Sequence, residues 1–148
     1  MLWHTGARVG EALSIKLSDL DLKNNRIFVA NKIYKGEQEA LLLTPEALRI
    51  AEQAQELAIL RKDKKLFQWR KTALPNDLVK KAERKFGAKI EGRGLHGFRR
   101  AFANKLFEQH LEITEIQEIM RHRNITTTLD HYKEFRQKEL IEKMSKKL

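Results

Sequence analysis

Cysteine is absent from the chain, so neither a disulfide framework nor a thiolate metal site can form in it, which suits a reducing compartment. No apolar run approaches the roughly 18 residues that a membrane span needs. The opening Met1-Leu-Trp-His-Thr5 has neither the basic start nor the long apolar stretch of a secretion signal. The expectation is a soluble, cytoplasmic chain with no membrane span. Internal repeats and low-complexity segments are missing too. Tyrosine is scarce: Tyr34 and Tyr132 are the only two, so chemistry that requires a phenol has two candidates.

What is present bounds the class further. The 148 residues fit one domain, or one domain with a protruding tail. Apolar residues make up 41% and charged residues 34%, enough for a core beneath a heavily ionised surface, which excludes wholesale disorder. Thirty Lys and Arg against twenty Asp and Glu leave a net charge of +10, with an isoelectric point near 9.9. Such an excess favours a polyanionic partner, nucleic acid first and an anionic membrane face second.

Along the chain, Thr5-Gly6-Ala7-Arg8 leads straight into the helix-like pattern Val9, Ala12, Leu13, Ile15, Leu17. So abrupt an opening reads as a start inside a domain, and the expectation is a fragment or shortened frame lacking upstream elements. Period-2 runs at Leu20/Leu22, Arg26–Ala30 and Glu39–Leu43 predict two or three short antiparallel strands, with a turn at Asn24-Asn25 and a basic hairpin tip over Asn31–Gly36. Thr44-Pro45-Glu46 combines a capping hydroxyl, a proline at the first helical position and an acid in the first turn, predicting a helix to about Leu60. Arg61–Lys65 is a charged connection. Pro75-Asn76 opens a further predicted helix with Leu78, Val79, Ala82 and Phe86 on one face, closed by Gly87 and followed by the loop Gly92-Arg93-Gly94. Phe98, Ala101, Phe102 and Leu106 form the apolar stripe of the next. Thr114-x-x-Gln117 reads as a capping box for a short helix carrying Ile116, Ile119 and Met120. A last start signal at Asn124–Thr128 precedes Leu129, Tyr132 and Phe135, then a basic tail, Arg136–Leu148. The fold class is α+β, mainly α, with a small antiparallel sheet in the N-terminal third.

Three polar clusters fall at helix starts or turns, where side chains can converge: Thr5-Gly-Ala-Arg8, His96-Gly-Phe-Arg99, and His122 followed by Tyr132. His96 and Arg99 are three apart and share a helix face, and Arg8 can add a second guanidinium for the nonbridging oxygens of a phosphate. Metal chemistry has weaker support. The tight acidic pairs Asp19-x-Asp21 and Glu37-x-Glu39 suit turns, caps and solvated edges rather than a two-metal site. A zinc site built from His96, His122 and His131 lacks both cysteine and a His-x3-His spacing.

Taken in order, Thr5-Gly-Ala-Arg8-Val-Gly-Glu11, Leu95-His96-Gly-Phe-Arg99-Arg-Ala-Phe-Ala103 and Met120-Arg-His122-x9-Tyr132 resemble the three catalytic boxes of the tyrosine recombinases, the phage-integrase-type site-specific recombinases. The likeness runs from Leu2 to about Tyr132. It implies cutting of double-stranded DNA one strand at a time through a 3′-phosphotyrosyl link, with resealing by a 5′-hydroxyl and with neither metal nor cofactor. Tyr132 is then the nucleophile, while Arg8 and Arg99 cradle the scissile phosphate. Lys32 on the hairpin tip is the general acid, with Lys35 the competing choice. His96 is a base or hydrogen-bonding partner, and His122 supports the phosphate and the phenol. Glu11 orients an arginine, and His131 neighbours the nucleophile. Tyr34, Lys35, Arg93, Arg100 and Arg123 are expected to contact DNA. A free tyrosine, with a pKa near 10, is only about one part in a thousand phenolate at neutral pH, so nearby cations have work to do at Tyr132.

Within this resemblance residues 1–134 form a catalytic domain lacking its first helices and the N-terminal core-binding domain. Residues 135–148 form a C-terminal helix or tail that packs in trans in a homo-oligomer on DNA. Met120-Arg121 stands where the family more usually has Leu-Gly before the histidine. Two rival functions share these features: a noncatalytic DNA-binding remnant, and topoisomerase-like relaxation.

Overall fold

The computed structural model describes residues 1–31, 34, 36–68, 80–81, 84–85 and 95–147. The first helix, α1 (Leu2–Thr5), is a single turn stopped by Gly6 in the left-handed conformation, φ 60°. A Cβ at Gly6 would lie 2.6 Å from Phe102 Cδ1 and 3.0 Å from Met120 Sδ. Both the backbone angle and the close approach therefore require glycine. Thr5, fully buried, donates its hydroxyl to the Met1 carbonyl and accepts from the Ala7 N–H. The turn that delivers Arg8 is thus fixed from both sides.

Helix α2 (Val9–Ser14) follows, and the chain then enters a three-stranded antiparallel sheet in the order β1 (Leu20–Asp21), β2 (Arg26–Ala30), β3 (Gln38–Leu42). Asn25, at φ 55°, makes the predicted turn. The β2–β3 register pairs Ile27 with Leu41 and Val29 with Glu39. Strand alternation then sends Ile27, Val29 and Leu41 into the core and leaves Phe28 on the opposite face under the Arg26 guanidinium. Helix α3 (Pro45–Leu60) starts where the sequence predicts, with Thr44 Oγ1 accepting from the Ala47 N–H at 3.2 Å. It buries a stripe of small residues, Ala47, Ala51, Ala54 and Ala58, whose size lets the helix backbone lie close to its neighbours. These pieces share one hydrophobic cluster centred on Ile15, Ile27, Leu41 and Leu66. Each such fully buried aliphatic side chain contributes roughly 1.5–3 kcal/mol.

A second cluster is built by α4 (His96–Glu108), α5 (Ile113–Met120) and α6 (Ile125–Lys147), around Phe102, Phe107, Ile116 and Met120. One sequence expectation needs correction here. The cap of helix α5 lies two residues before the Thr114-x-x-Gln117 box: Glu112 is the cap residue, and the Glu115 carboxylate accepts the Glu112 N–H at 2.8 Å. Gln117 instead donates to the His122 carbonyl. Helix α6 runs without interruption through residue 135, so that of the two forms expected for residues 135–148, helix or tail, the described residues are helical to Lys147. The helix predicted to open at Pro75-Asn76 and the Gly92-Arg93-Gly94 loop lie largely or wholly outside the described residues, although Lys80, Lys81, Arg84 and Lys85 are helical. Among the described residues no helix is long and apolar enough to cross a membrane.

Candidate active site

Arg8 occupies the extended position that caps α2. Its backbone N–H and its Nη1 donate to the two carboxylate oxygens of Glu11, at 2.8 and 2.6 Å. The Arg8 side chain keeps 30% exposure while that of Glu11 keeps 4%, so the acid is hidden and the guanidinium is presented. Arg99, near the start of α4, donates to the Gly6 carbonyl through Nη1 and to the Met120 carbonyl through Nη2. One guanidinium thereby joins the turn before Arg8 to the end of α5. Burial, then the charges of Arg8 and Arg121, lower the Arg99 pKa to about 10, which still leaves it protonated at neutral pH.

The turn after α5 completes the cluster. Arg121 adopts the left-handed conformation, φ 52°, and its carbonyl accepts from Arg8 Nη2 at 3.4 Å. Its own side chain, 7% exposed, donates from Nη2 to Glu11 Oε2 at 2.6 Å and faces Glu39 of β3 at 3.6 Å. Burial pushes the Glu11 carboxyl up, but the bond from Arg8 and the charge of Arg121 outweigh it and hold the acid below its ordinary range. Three guanidinium groups and two carboxylates leave this partly buried cluster with one net positive charge, presented to solvent by Arg8, where an anion can meet it.

His122 follows directly. Its Nδ1 lies 2.8 Å from the hydroxyl of the fully buried Thr128, and its ring centroid is 5.8 Å from that of His131. Burial, Arg99, His131, Arg8 and Arg121 all lower its pKa, to about 4. At neutral pH it is therefore an uncharged imidazole, able to share hydrogen bonds but not to add a cation. His131 is lowered as well, by burial and then Arg100. Arg8, Arg121, His122, Arg123, Tyr34 and Glu39 line one open cavity of about 830 Å³.

The structure gathers Arg8, Glu11, Arg99, His122 and His131, and does not place every other named side chain with them. Tyr132 on α6 packs against Phe107, with ring centroids 5.4 Å apart and the rings tilted by 55°. It lines a different cavity with Asn104, Leu111 and Phe135, and no hydrogen bond joins its hydroxyl to a described residue. His96 stands exposed at the first residue of α4. Arg100, expected at DNA or in solvent, pairs with Glu134 of α6. Tyr34 is 57% exposed at the hairpin tip, and Arg123 is exposed. Lys32, Lys35 and Arg93 lie outside the described residues. Of the acidic pairs, Asp19 and Asp21 do the expected local work, Asp19 accepting the Lys16 N–H and Asp21 binding Arg26. Glu39 differs, turning from a solvated hairpin edge to Arg121. Among the described residues no three His, Asp or Glu side chains group as a metal site.

Sequence reading missed Arg121, Glu39 and Thr128. A signal for Arg121 was present. An arginine stands at the residue that ends a helix in left-handed conformation, where glycine is usual and a bulky side chain carries a backbone cost.

Comparison with known proteins agrees with the geometry. The model of the phage integrase family matches residues 1–139. The chain is 31% identical over 135 residues to a probable integrase/recombinase of Acholeplasma phage L2, covering 88% of this chain and 46% of that protein. It is 28% identical over 128 residues to the tyrosine recombinase XerA of Saccharolobus solfataricus, covering 86% and 42%. The structure of the XerH site-specific recombinase in a post-cleavage complex with palindromic difH substrate superposes with a TM-score of 0.71. It is 26% identical, and the match covers 97% of this chain and 43% of that one. The chain thus spans about half the length of the relatives it matches.

Proposed function

Because the chain belongs to the phage integrase family, we propose that it is the catalytic portion of a site-specific DNA recombinase, acting on double-stranded DNA in the cytoplasm through a 3′-phosphotyrosyl intermediate. The observation that carries this reading is the partly buried cationic cluster. Residues from position 8 to position 121 meet around Arg8 and Arg99 with one unbalanced positive charge and an uncharged imidazole beside them. A phosphodiester, singly negative and rich in acceptor oxygens, matches that arrangement.

In the proposed reaction the Tyr132 oxygen attacks the scissile phosphorus, losing its proton, while the bond to the 5′-oxygen breaks and that oxygen gains one. Arg8 and Arg99 neutralise the charge that builds on the nonbridging oxygens, where one well-placed donor is worth on the order of 10²–10³ in rate. Neutral His122 contributes a hydrogen bond to the phosphate or the phenol, and His96 a second one. Lys32 protonates the leaving oxygen, with Lys35 the alternative. Glu11 orients Arg8, and His131 links the nucleophile's helix to His122. Tyr34, Arg93, Arg100 and Arg123 meet flanking DNA. For the attack, Tyr132 has to leave Phe107 and swing toward the cluster, or be supplied by a second copy. Residues 1–134 carry the chemistry in this proposal. The distal part of α6, with Leu140, Ile141 and Met144 at 49%, 63% and 59% exposure, packs in trans in a homo-oligomer on DNA.

A nicked suicide duplex tests the reading, since loss of the short strand prevents resealing. Wild-type protein is expected to become covalently trapped on DNA without added metal. Tyr132→Phe should give no trapped species at unchanged stability, because the hydroxyl it removes has no described partner. Salt-sensitive binding without trapping would point instead to a noncatalytic DNA-binding remnant, and relaxation of supercoils without strand exchange to a topoisomerase-like enzyme. The position of Tyr132 on Phe107 is the feature that favours the remnant.

A further inference from the structure

Arg121 lies inside the third box but is given no role by the resemblance, which more usually has glycine there, yet it is the most deeply buried guanidinium for which an ion pair is described. It lies between two carboxylates from different elements, Glu11 of α2 and Glu39 of β3. Its Nη1 is buried and has no hydrogen-bond partner among the described residues, and its Nε faces Glu39 beyond hydrogen-bond reach. Geometry of this kind is poor for maximising bonds and good for placing charge.

We propose that Arg121 is a positioning residue that offsets Glu11 and Glu39 so that the charges of Arg8 and Arg99 remain available to a phosphodiester. This rests on the phosphate-cradle reading above and deepens it. Without Arg121 the partly buried cluster holds two guanidinium groups and two carboxylates, and is neutral. Glu11 then has Arg8 as its only described cationic partner, and Glu39 adds its field to the same place. With Arg121, Glu11 divides its Oε2 between the Arg8 N–H and Arg121 Nη2. The Arg121 carbonyl holds Arg8 Nη2 in addition. The side chain therefore sets the charge of the cradle while the main chain sets its shape.

Charge restoration separates this role from simple packing. The probe is dimethyl phosphate, a singly charged diester, titrated against the Nε–H resonances of Arg8 and Arg99 in the full chain by NMR. Arg121→Met keeps the volume of the stem and is expected to weaken binding about tenfold, the order of one partly screened charge. Glu39→Gln, which raises the cluster by one charge, is expected to tighten binding. The double variant R121M/E39Q recovers the wild-type charge and is expected to bind within about threefold of wild type.

Wild-type affinity in R121M, or a double variant no better than R121M, would overturn the role of Arg121 while leaving the cradle standing. Absence of any shift at Arg8 and Arg99 in the wild type would instead remove the cradle itself and the proposal with it. Should R121M fail to fold, Arg121→Lys decides, because a charge-setting role requires binding near wild type and a role in packing or bonding geometry requires the loss expected of R121M.

Discussion

At His122, burial and the surrounding cations act in one direction, and the consequence is a pH dependence. The folded imidazole titrates near pH 4 and an unperturbed one near 6.5. Between those values the unfolded chain binds a proton that the folded chain refuses. The stability is therefore fully present above 6.5 and declines as pH falls toward 4. His131 and His4 are lowered by burial too and add to the same slope. Urea unfolding at pH 7 and pH 5 checks this: wild-type protein should lose stability between the two, and His122→Gln should lose on the order of 1 kcal/mol less, after discounting for partial exposure. Parallel losses would mean that His122 carries its proton in the folded state. The spacing of the third box was enough to single out His122, but its lack of charge was not legible, because burial and the neighbouring guanidinium groups arise from contacts across a hundred positions. Glycine at position 6 was legible as part of a motif, while its cause was not. Gly6→Ala should cost about 2–3 kcal/mol in the same assay, combining an unfavourable φ with the contacts on Phe102 and Met120.

Elements whose ends are written locally were readable, and those fixed by distant packing were not. The Thr44-Pro45-Glu46 start places α3 correctly, because capping, fixed proline φ and an acidic first turn act within four residues. Thr44→Ala should therefore cost about 1 kcal/mol in thermal unfolding while leaving phosphate binding unchanged, since the helix supplies no side chain to the cluster. The strands were equally legible from alternation, since the pleat assigns Ile27, Val29 and Leu41 to one face whatever follows. Helix α5 was found with its start misplaced. Both Glu112 and Thr114 can cap, and the helix begins after Glu112, whose N–H is taken by the Glu115 carboxylate. Beyond residue 135 apolar positions thin out, and the sequence leaves helix and tail both open there. Helix α6 continues because its polar distal turns are supported along its own surface, with Glu139 pairing to Arg136 and Lys143 at 2.5 Å each.

At the scale of the molecule, the described residues form two hydrophobic clusters with the cationic site at their seam. Arg8, Glu11 and Glu39 belong to the elements of the first cluster, while Arg99, Arg121 and His122 belong to those of the second. Arg99 crosses the seam by bonding the Gly6 and Met120 carbonyls. The Arg8–Arg121, Arg99–Gly6, Arg121–Glu11 and Arg121–Glu39 contacts cross the seam and oppose separation of the halves, at the cost of concentrating positive charge there. An anion that occupies the seam relieves this repulsion and gains nothing from the unfolded chain, so occupancy and global stability must be linked. With dimethyl phosphate at ten times its dissociation constant, thermal unfolding should report about 1.4 kcal/mol of added stability over sodium chloride of equal ionic strength. Arg8→Met should lower that increment severalfold at fixed ligand concentration, because it removes the more exposed of the two cradling guanidinium groups while leaving Arg99 across the seam. An increment that survived in Arg8→Met would place the anion on the general +10 surface of the protein, where binding follows total charge and not the meeting of the two halves.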